Sequence, residues 1–336
     1  MDNNYFMGQD GFNWFIGVVE DRADPEKASR VRVRCLGYHT ADKALIPTVD
    51  LPWATVLMPV TAGANSGIGI SPHFLIEGTW VVGFFRDPAK QEPVIIGALP
   101  GKNTSETTNF TIAGSGKIGG YSNSEGGFID PNTKYPTELY IDKPDTNLLA
   151  QESAATHPSK EKKDALDSWS TASGEAEQIA STQANAKYPT NHVLETESGH
   201  YVEFDDTAGN ERIHLFHKMG TFIEIDKTGN VVIKTVGNVT NIVAGNMDTY
   251  VKGNYSISAT NIDIYAGGDF TEKVDGNVKT TITGNVESAI TGTLTEEVEK
   301  DVSQDYKMNL TTTITALGSI KASGAMTVGG SSISFN

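Results

Sequence analysis

Acidic residues are the first candidates for chemistry in this sequence. Glu138, Asp142 and Asp145 lie close together in the chain, and two carboxylates facing each other across a cleft are what glycoside hydrolysis requires. The residues around them predict a loop, without the apolar wall that would raise the pKa of one carboxyl and make it an acid. We therefore expect none of the three to be catalytic.

Two histidines form a second candidate, a metal site. His214 and His217 lie three residues apart in residues 212–218, a segment whose composition predicts a strand. Side chains at an odd spacing point to opposite faces of a strand, so one chain cannot bring both to the same metal. We expect satisfied surface or interface histidines; the alternative is that symmetry-related copies meet on an axis.

Two motifs remain, one acidic and one rich in glycine. Glu203, Asp205 and Asp206 adjoin a turn-like segment, residues 207–210. A calcium loop needs more oxygens in a longer pattern, so we expect a hairpin turn capped by carboxylates. Residues 114–119 match GxGxxG, but a dinucleotide site needs a helix to begin there, and the glycines that follow oppose one. The sequence thus predicts no catalytic, cofactor-binding or metal-binding residue.

The charge balance excludes some partners. Asp and Glu number 42 against 26 Lys and Arg, a formal net charge of −16. Such a surface repels nucleic acid and anionic lipid headgroups. The single cysteine, Cys35, lies in a strand-like segment and is expected to be a small buried hydrophobe. We expect no secretion signal and no membrane span, hence a protein made in the cytoplasm.

Residues 12–102 predict a small all-β domain. Strands are expected at residues 14–20, 30–36, 54–59, 79–85 and 94–98. Apolar and charged residues alternate in Arg30-Val31-Arg32-Val33-Arg34, as they do in a half-buried strand. Five short strands in fewer than about 100 residues are typical of a Greek-key barrel of the OB type. Residues 103–190 are rich in Gly, Ser, Ala and Lys and predict a linker, with a short helix near residues 160–169.

Residues 191–336 contain an eight-residue repeat. Glycine recurs at 229, 237, 245 and 253, and again at 268, 276, 284 and 292. Asn or Asp follows seven of these eight glycines, and such pairs favour turns. The step of fifteen from Gly253 to Gly268 places an irregularity near residues 262–266. Residues 317–324 are a second candidate for a change of register.

Apolar residues inside the repeat favour strands over a helix. They recur at every fourth position from Phe270 to Ile314. A period of four drifts by about 40° per step around an α-helix, whereas an even period keeps side chains on one face of a strand. Each repeat offers only two large apolar residues, so one chain cannot close a core. Three interdigitating copies would bury them around a common axis; a single-chain β-solenoid is the alternative.

Several blocks of sequence resemble one known family. The blocks are Asn13-Trp14-Phe15-Ile16-Gly17, Leu51-Pro52-Trp53, Ser66-Gly67-Ile68-Gly69, Gly127-Phe128-Ile129-Asp130-Pro131, Glu203-Phe204-Asp205-Asp206-Thr207 and the Gly-Asn octads. In these blocks, at both ends of the chain and in the same order, the sequence resembles the central spike proteins of T-even-type contractile phages.

The resemblance implies an architecture and partners. It implies an OB domain seated on a trimeric baseplate hub (residues 12–102), a linker (103–190) and an intertwined homotrimeric β-helix needle (191–336). Because the whole chain is strongly acidic, we expect the basic strand of Arg30, Arg32 and Arg34 to contact protein, such as the hub, in preference to nucleic acid. The family's lysozyme domain has no counterpart in the short stretch between Pro136 and His192, so we expect a structural, non-enzymatic spike that pierces the host outer membrane.

Features near residue 336 bear on the tip of the needle. Some related spikes end in a His-x-His pair that binds iron, but residues 329–336 contain no histidine. The resemblance therefore implies no iron site and leaves a place for a separate PAAR-like tip protein. Two alternatives stay open: a trimeric glycan-processing tailspike enzyme, which needs paired carboxylates beside aromatic platforms, and a type VI secretion-like spike.

Overall fold

The structure is a computed structural model that describes residues 13–102, 127–164, 169–170, 176–177 and 185–333. Contacts divide the chain into two units, Met1–Ile262 and Asp263–Asn336. The GxGxxG motif at residues 114–119 lies outside the described residues. None of the helices in the described ranges is long and apolar enough to cross a membrane.

Five strands form a closed barrel. They are β1 (Asn13–Asp21), β2 (Arg30–Cys35), β3 (Trp53–Val56), β4 (Trp80–Phe85) and β5 (Pro93–Ala98), in the order β1-β2-β3-β5-β4. The β3–β5 pair is parallel and the other pairs are antiparallel. This architecture confirms the predicted OB-type barrel. Its core consists of Phe15, Val19, Val31, Val33, Cys35, Ala54, Val81, Phe85 and Ile95.

The segment between the barrel and the second sheet is packed over residues 127–164. It contains single 3₁₀ turns at Glu138–Tyr140 and Ala154–Thr156 and one short helix, α1 (Lys160–Asp164). Leu148 and Leu149 are each 1% exposed, and Leu149 joins a core with Tyr201, Phe216 and Phe222. Two short strands, β6 (Trp169–Ser170) and β7 (Ala176–Glu177), pair antiparallel.

A second, five-stranded sheet is an antiparallel meander. Its strands are β8 (Asn191–Glu195), β9 (Tyr201–Asp205), β10 (Arg212–Phe216), β11 (Phe222–Ile225) and β12 (Val231–Lys234), paired in sequence order. Tight turns join them, each with a glycine at positive φ, namely Gly199, Gly209, Gly220 and Gly229. Neighbouring strands therefore pair with short connections, as in consecutive hairpins.

The octad region has a periodic backbone without paired strands. Residues 235–333 contain no helix or strand, and every residue from 236 to 333 is exposed. Bends recur every eight residues at 236–237, 244–245 and 252–253, and again from 267–268 to 323–324. A single bend at residue 260 comes seven residues before 267, which is where the glycine spacing predicts the irregularity. The bends pass residues 317–324 without a change of step.

Candidate functional site

The second sheet buries its polar face. Glu203, Arg212, His214 and Glu224 lie on neighbouring strands, and each is at most 7% exposed. Arg212 donates to Glu203 at 2.7 Å between Nη2 and Oε1, and its Nη1 lies 3.6 Å from Glu224 Oε2. His214 Nδ1 lies 3.5 Å from Glu203 Oε2. Opposite charges thus face each other across the strand register, which lowers the cost of burying them.

Burial shifts the pKa values of the ionisable side chains in this network. Desolvation lowers the pKa of His214 to about 4, although the nearby Glu203 carboxylate opposes the shift. Glu203 is also penalised by burial, but His214, Arg212 and Asn191 lower its pKa to about 2. Desolvation raises the pKa of Glu224. The buried setting therefore favours a neutral His214 between Glu203 and Glu224. We interpret these residues as a structural network within the sheet.

His214 and Glu203 depart from the sequence expectations, and Glu203 does so because it pairs with Arg212 inside the sheet instead of capping a turn. His214 is wholly buried, so the expectation of a surface or interface histidine is wrong for it. His217 is exposed beyond the end of β10 and packs against His200, with ring centroids 4.4 Å apart. Asp205 caps the turn that follows it, accepting from the Thr207 amide at 3.0 Å. Among the described residues no group of three or more His, Cys, Asp or Glu could hold a metal ion.

A Ser–His–Glu contact chain was not anticipated from the sequence. His157 Nδ1 lies 2.8 Å from Ser159 Oγ, and His157 Nε2 lies 3.2 Å from Glu195 Oε2. A nucleophile must meet substrate, yet Ser159 is 4% exposed and also contacts the Tyr201 hydroxyl at 3.2 Å. These contacts therefore link the connecting segment to β8 and β9. Only the motif His157-Pro158-Ser159 could have signalled it, and such a short motif is not specific.

The carboxylates considered for glycoside hydrolysis are at the surface. Glu138, Asp142 and Asp145 are all exposed. Asp145 accepts a hydrogen bond from the Gly101 amide at 2.8 Å, so it fastens the connecting segment to the end of the barrel. Exposure gives none of the three the desolvated setting that a catalytic acid needs.

The arginines of β2 are bound within the chain. Arg34 is wholly buried with Glu20, at 2.5 Å between Nε and Oε1. Arg30 binds Asp24 at 2.7 Å, and Arg32 stacks 4.5 Å from the ring centroid of Trp53. The prediction that Arg34 contacts a partner protein is therefore wrong, because its guanidinium does not reach the surface.

The other face of the second sheet is apolar and exposed. The strand register aligns Leu194, Val202, Leu215, Ile223 and Ile233 in one row. A second row contains Phe204, Ile213, Ile225 and Val231. Apart from the partly buried Val202, these side chains are 37% to 66% exposed. We call these two rows the outer face. Soluble monomers rarely expose a contiguous apolar surface of this kind, so the outer face is a candidate interaction surface.

These features define a class of protein: an OB barrel followed by a two-faced antiparallel sheet and an octad-repeat region. A family model described as the Gp5 N-terminal OB domain matches residues 37–195, from just after β2 to the end of β8. The chain is 37% identical over 265 residues to Protein Gp5 of Vibrio phage KVP40, covering 69% of this chain and 59% of that protein.

A second relative is named by its place in a virion. The pre-baseplate central spike protein Gp5 of Enterobacteria phage T4 is 39% identical over 150 residues, 43% of this chain and 23% of that protein. The chain therefore spans only part of the length of the curated relatives it matches. It is related to the Gp5-type central spike proteins, as the sequence blocks predict.

Proposed function

We propose that this protein is the structural central spike of a contractile phage tail baseplate, assembled as a homotrimer. Its relatives are named Gp5 and pre-baseplate central spike protein. In this role residues 12–102 form the OB domain that binds a trimeric baseplate hub, residues 103–190 connect, and residues 191–336 form an intertwined β-helix needle. Tail contraction drives the needle through the host outer membrane, and a PAAR-like protein caps its tip.

The outer face carries the proposal. Eight of its nine apolar side chains are more than a third exposed in one chain, whereas the charged face is buried. Covering a half-exposed aliphatic or aromatic side chain contributes about 1 kcal/mol, so eight contribute on the order of 8 kcal/mol per chain before the costs of association. Three copies of one sheet packed around an axis would cover these faces.

The octad region, residues 235–333, supports the same assembly. Val274, Ile282 and Ile290, two residues before each glycine, are 47% to 53% exposed, whereas Val278 and Val286, two residues after, are 69% and 72% exposed. The two apolar positions of an octad therefore differ in environment but are both uncovered. Strands from other copies would supply the missing hydrogen bonds and bury both positions.

A non-enzymatic role fits the state of the described carboxylates. A glycoside hydrolase needs one carboxyl with a raised pKa in an open cleft. Among the described carboxyls, Glu224 has a pKa that burial raises, but it is only 3% exposed on the covered face of the second sheet. The open cleft between the barrel and the second sheet offers Glu197, whose pKa is lowered to about 2 by its hydrogen bonds. The glycan-processing alternative is therefore not favoured.

The test is the mass of the full chain in solution, measured by light scattering, with two matched variants. Ile213→Lys places a charge at the centre of the outer face, whereas Glu211→Lys changes an exposed turn residue two positions away. We expect a trimer resistant to SDS without boiling for the natural chain and for Glu211→Lys. Ile213→Lys should give smaller species or aggregates. A monomeric natural chain would refute the spike assignment.

A further inference from the structure

One carboxylate, that of Glu197, receives groups from three separate parts of the protein. Glu197 lies in the turn between β8 and β9, where Gly199 donates to the Thr196 carbonyl at 2.9 Å. Arg22, next to the end of β1, donates from Nη2 to Glu197 Oε2 at 2.7 Å. Lys134 Nζ and the Tyr135 hydroxyl both donate to Glu197 Oε1. Arg22 and Glu197 are 175 residues apart in the chain.

On the barrel side of this contact, Arg22 has a second acidic partner. Arg22 Nε lies 3.2 Å from Glu77 Oε2, and Glu77 precedes β4. The Arg22 guanidinium thus spans two carboxylates, one on the barrel and one on the sheet. A planar guanidinium fixed by one partner loses less freedom when it binds the second.

The connecting segment presents its two donors in a fixed loop. The Asp130 carboxylate accepts from the amides of Asn132, Lys134 and Tyr135 at 2.7 to 2.9 Å. A Cβ at Gly78 would lie 3.1 Å from Asp130 Cβ, so this loop sits directly against the barrel. Lys134 and Tyr135 therefore reach Glu197 from a position that the barrel determines.

Partial burial strengthens the contact. The side chains of Arg22 and Glu197 are 34% and 30% exposed. Hydrogen bonds from Lys134, Tyr135 and Arg22 keep the pKa of Glu197 low, so the carboxylate stays charged at any physiological pH. Isolated surface ion pairs contribute little, but here one carboxylate is shared by three donors, so ordering its side chain once serves three bonds.

We propose that Glu197 is a positioning residue that helps to fix the second sheet to the OB barrel, so that both move as one body. Arg22 makes the direct barrel–sheet link, and Lys134 with Tyr135 adds the link through the connecting segment. This inference depends on contacts within one chain and goes beyond the proposed spike role. In that role the joint would carry an axial load from the hub-bound barrel into the needle.

Amide hydrogen exchange on the full-length assembly tests the joint with three variants. Glu197→Gln removes the shared acceptor charge, whereas Arg22→Gln removes the direct barrel link together with the Arg22–Glu77 pair inside the barrel domain. Glu211→Gln is the control, because Glu211 is an exposed turn residue of the same sheet. Light scattering on each variant first establishes that the assembly is unchanged, which separates this test from that of the proposed function.

The expected pattern is specific to the joint. Glu197→Gln should accelerate exchange at least tenfold in peptides covering residues 130–136 and 196–200, with β2 and β10 unchanged. Arg22→Gln should do so in 196–200 alone, and it serves as the test if Glu197→Gln does not fold. The control should match the natural chain within twofold. Unchanged exchange at 196–200, or equal acceleration throughout barrel and sheet, would overturn the proposal.

Discussion

Replacing Glu20 by glutamine should destabilise the barrel far more than any surface change. Glu20 and Arg34 both have side chains that are 0% exposed. Arg34 also donates to the carbonyls of Thr40 and Ile46 at 2.7 and 2.8 Å, and Thr48 donates to Glu20 at 2.7 Å. In Glu20→Gln the guanidinium keeps its charge in the core but loses the opposing one.

The size of the effect follows from the desolvation of that charge. Removing one partner of a buried pair costs about 3–5 kcal/mol. With a urea dependence of about 2 kcal/mol per molar for a domain of this size, the midpoint of barrel unfolding should fall by roughly 2 M. Tryptophan fluorescence reports this transition, because Trp14, Trp53 and Trp80 lie on barrel strands.

A matched surface variant calibrates the measurement. Glu26 pairs with Arg30 at 3.1 Å, but its side chain is 72% exposed, so Glu26→Gln should cost less than about 0.5 kcal/mol. If Glu20→Gln lost less than about 1 kcal/mol, or no more than Glu26→Gln, the assignment of a dry, fully paired core ion pair would be wrong.

Three further outcomes are expected. Gly69 has φ +113 and a Cβ there would lie 1.1 Å from the Ala62 carbonyl oxygen, whereas Gly67 at φ +78 faces open space; in thermal unfolding Gly69→Ala should cost more than about 4 kcal/mol and Gly67→Ala about 1 kcal/mol. Burial raises the pKa of Cys35 to about 12, so a disulfide reagent should react with this thiol only as the barrel unfolds, and rapid labelling of the folded protein would contradict its burial. The pKa of His214 is lowered from 6.5 to about 4, so as the pH falls the imidazole is protonated in the unfolded chain before it is protonated in the folded one, and stability should fall between about pH 6.5 and about pH 4. Denaturant titrations should show that slope reduced in His214→Gln; an unchanged slope would exclude His214 as its source.

The barrel could be predicted from local pattern because its strands follow the usual rule. In β2 the valines at 31 and 33 point into the core, and the predicted strand starts at the same residue as the observed one. Arg34 breaks the alternation, since it is buried beside Val33. Its burial depends on Glu20 and on carbonyls distant in sequence, and these do not appear in a local pattern.

The second sheet could not be oriented from the sequence. In β9 and β10 polar and apolar residues alternate, and the ordinary expectation places polar residues outside. The structure reverses this, because Glu203, Arg212 and His214 pair across strands under the connecting segment. Complementary charges at facing register positions, together with a packed segment such as residues 148–159, determine which face is covered. Neither is visible before the strands are paired.

The regular spacing of bends in the octad region has a consequence for how the length of this region can change. Bends fall at 299–300, 307–308 and 315–316, where no glycine stands, so the eight-residue step is a property of the backbone path and tolerates many sequences. Duplicating or removing one octad would lengthen or shorten the octad region while every later side chain kept its position relative to the bends. Gains or losses of other sizes would shift the phase, and the seven-residue step before residue 267 marks one place where the chain accommodates such a shift. Length in this region is therefore adjustable in discrete steps of eight residues, without any change to the barrel.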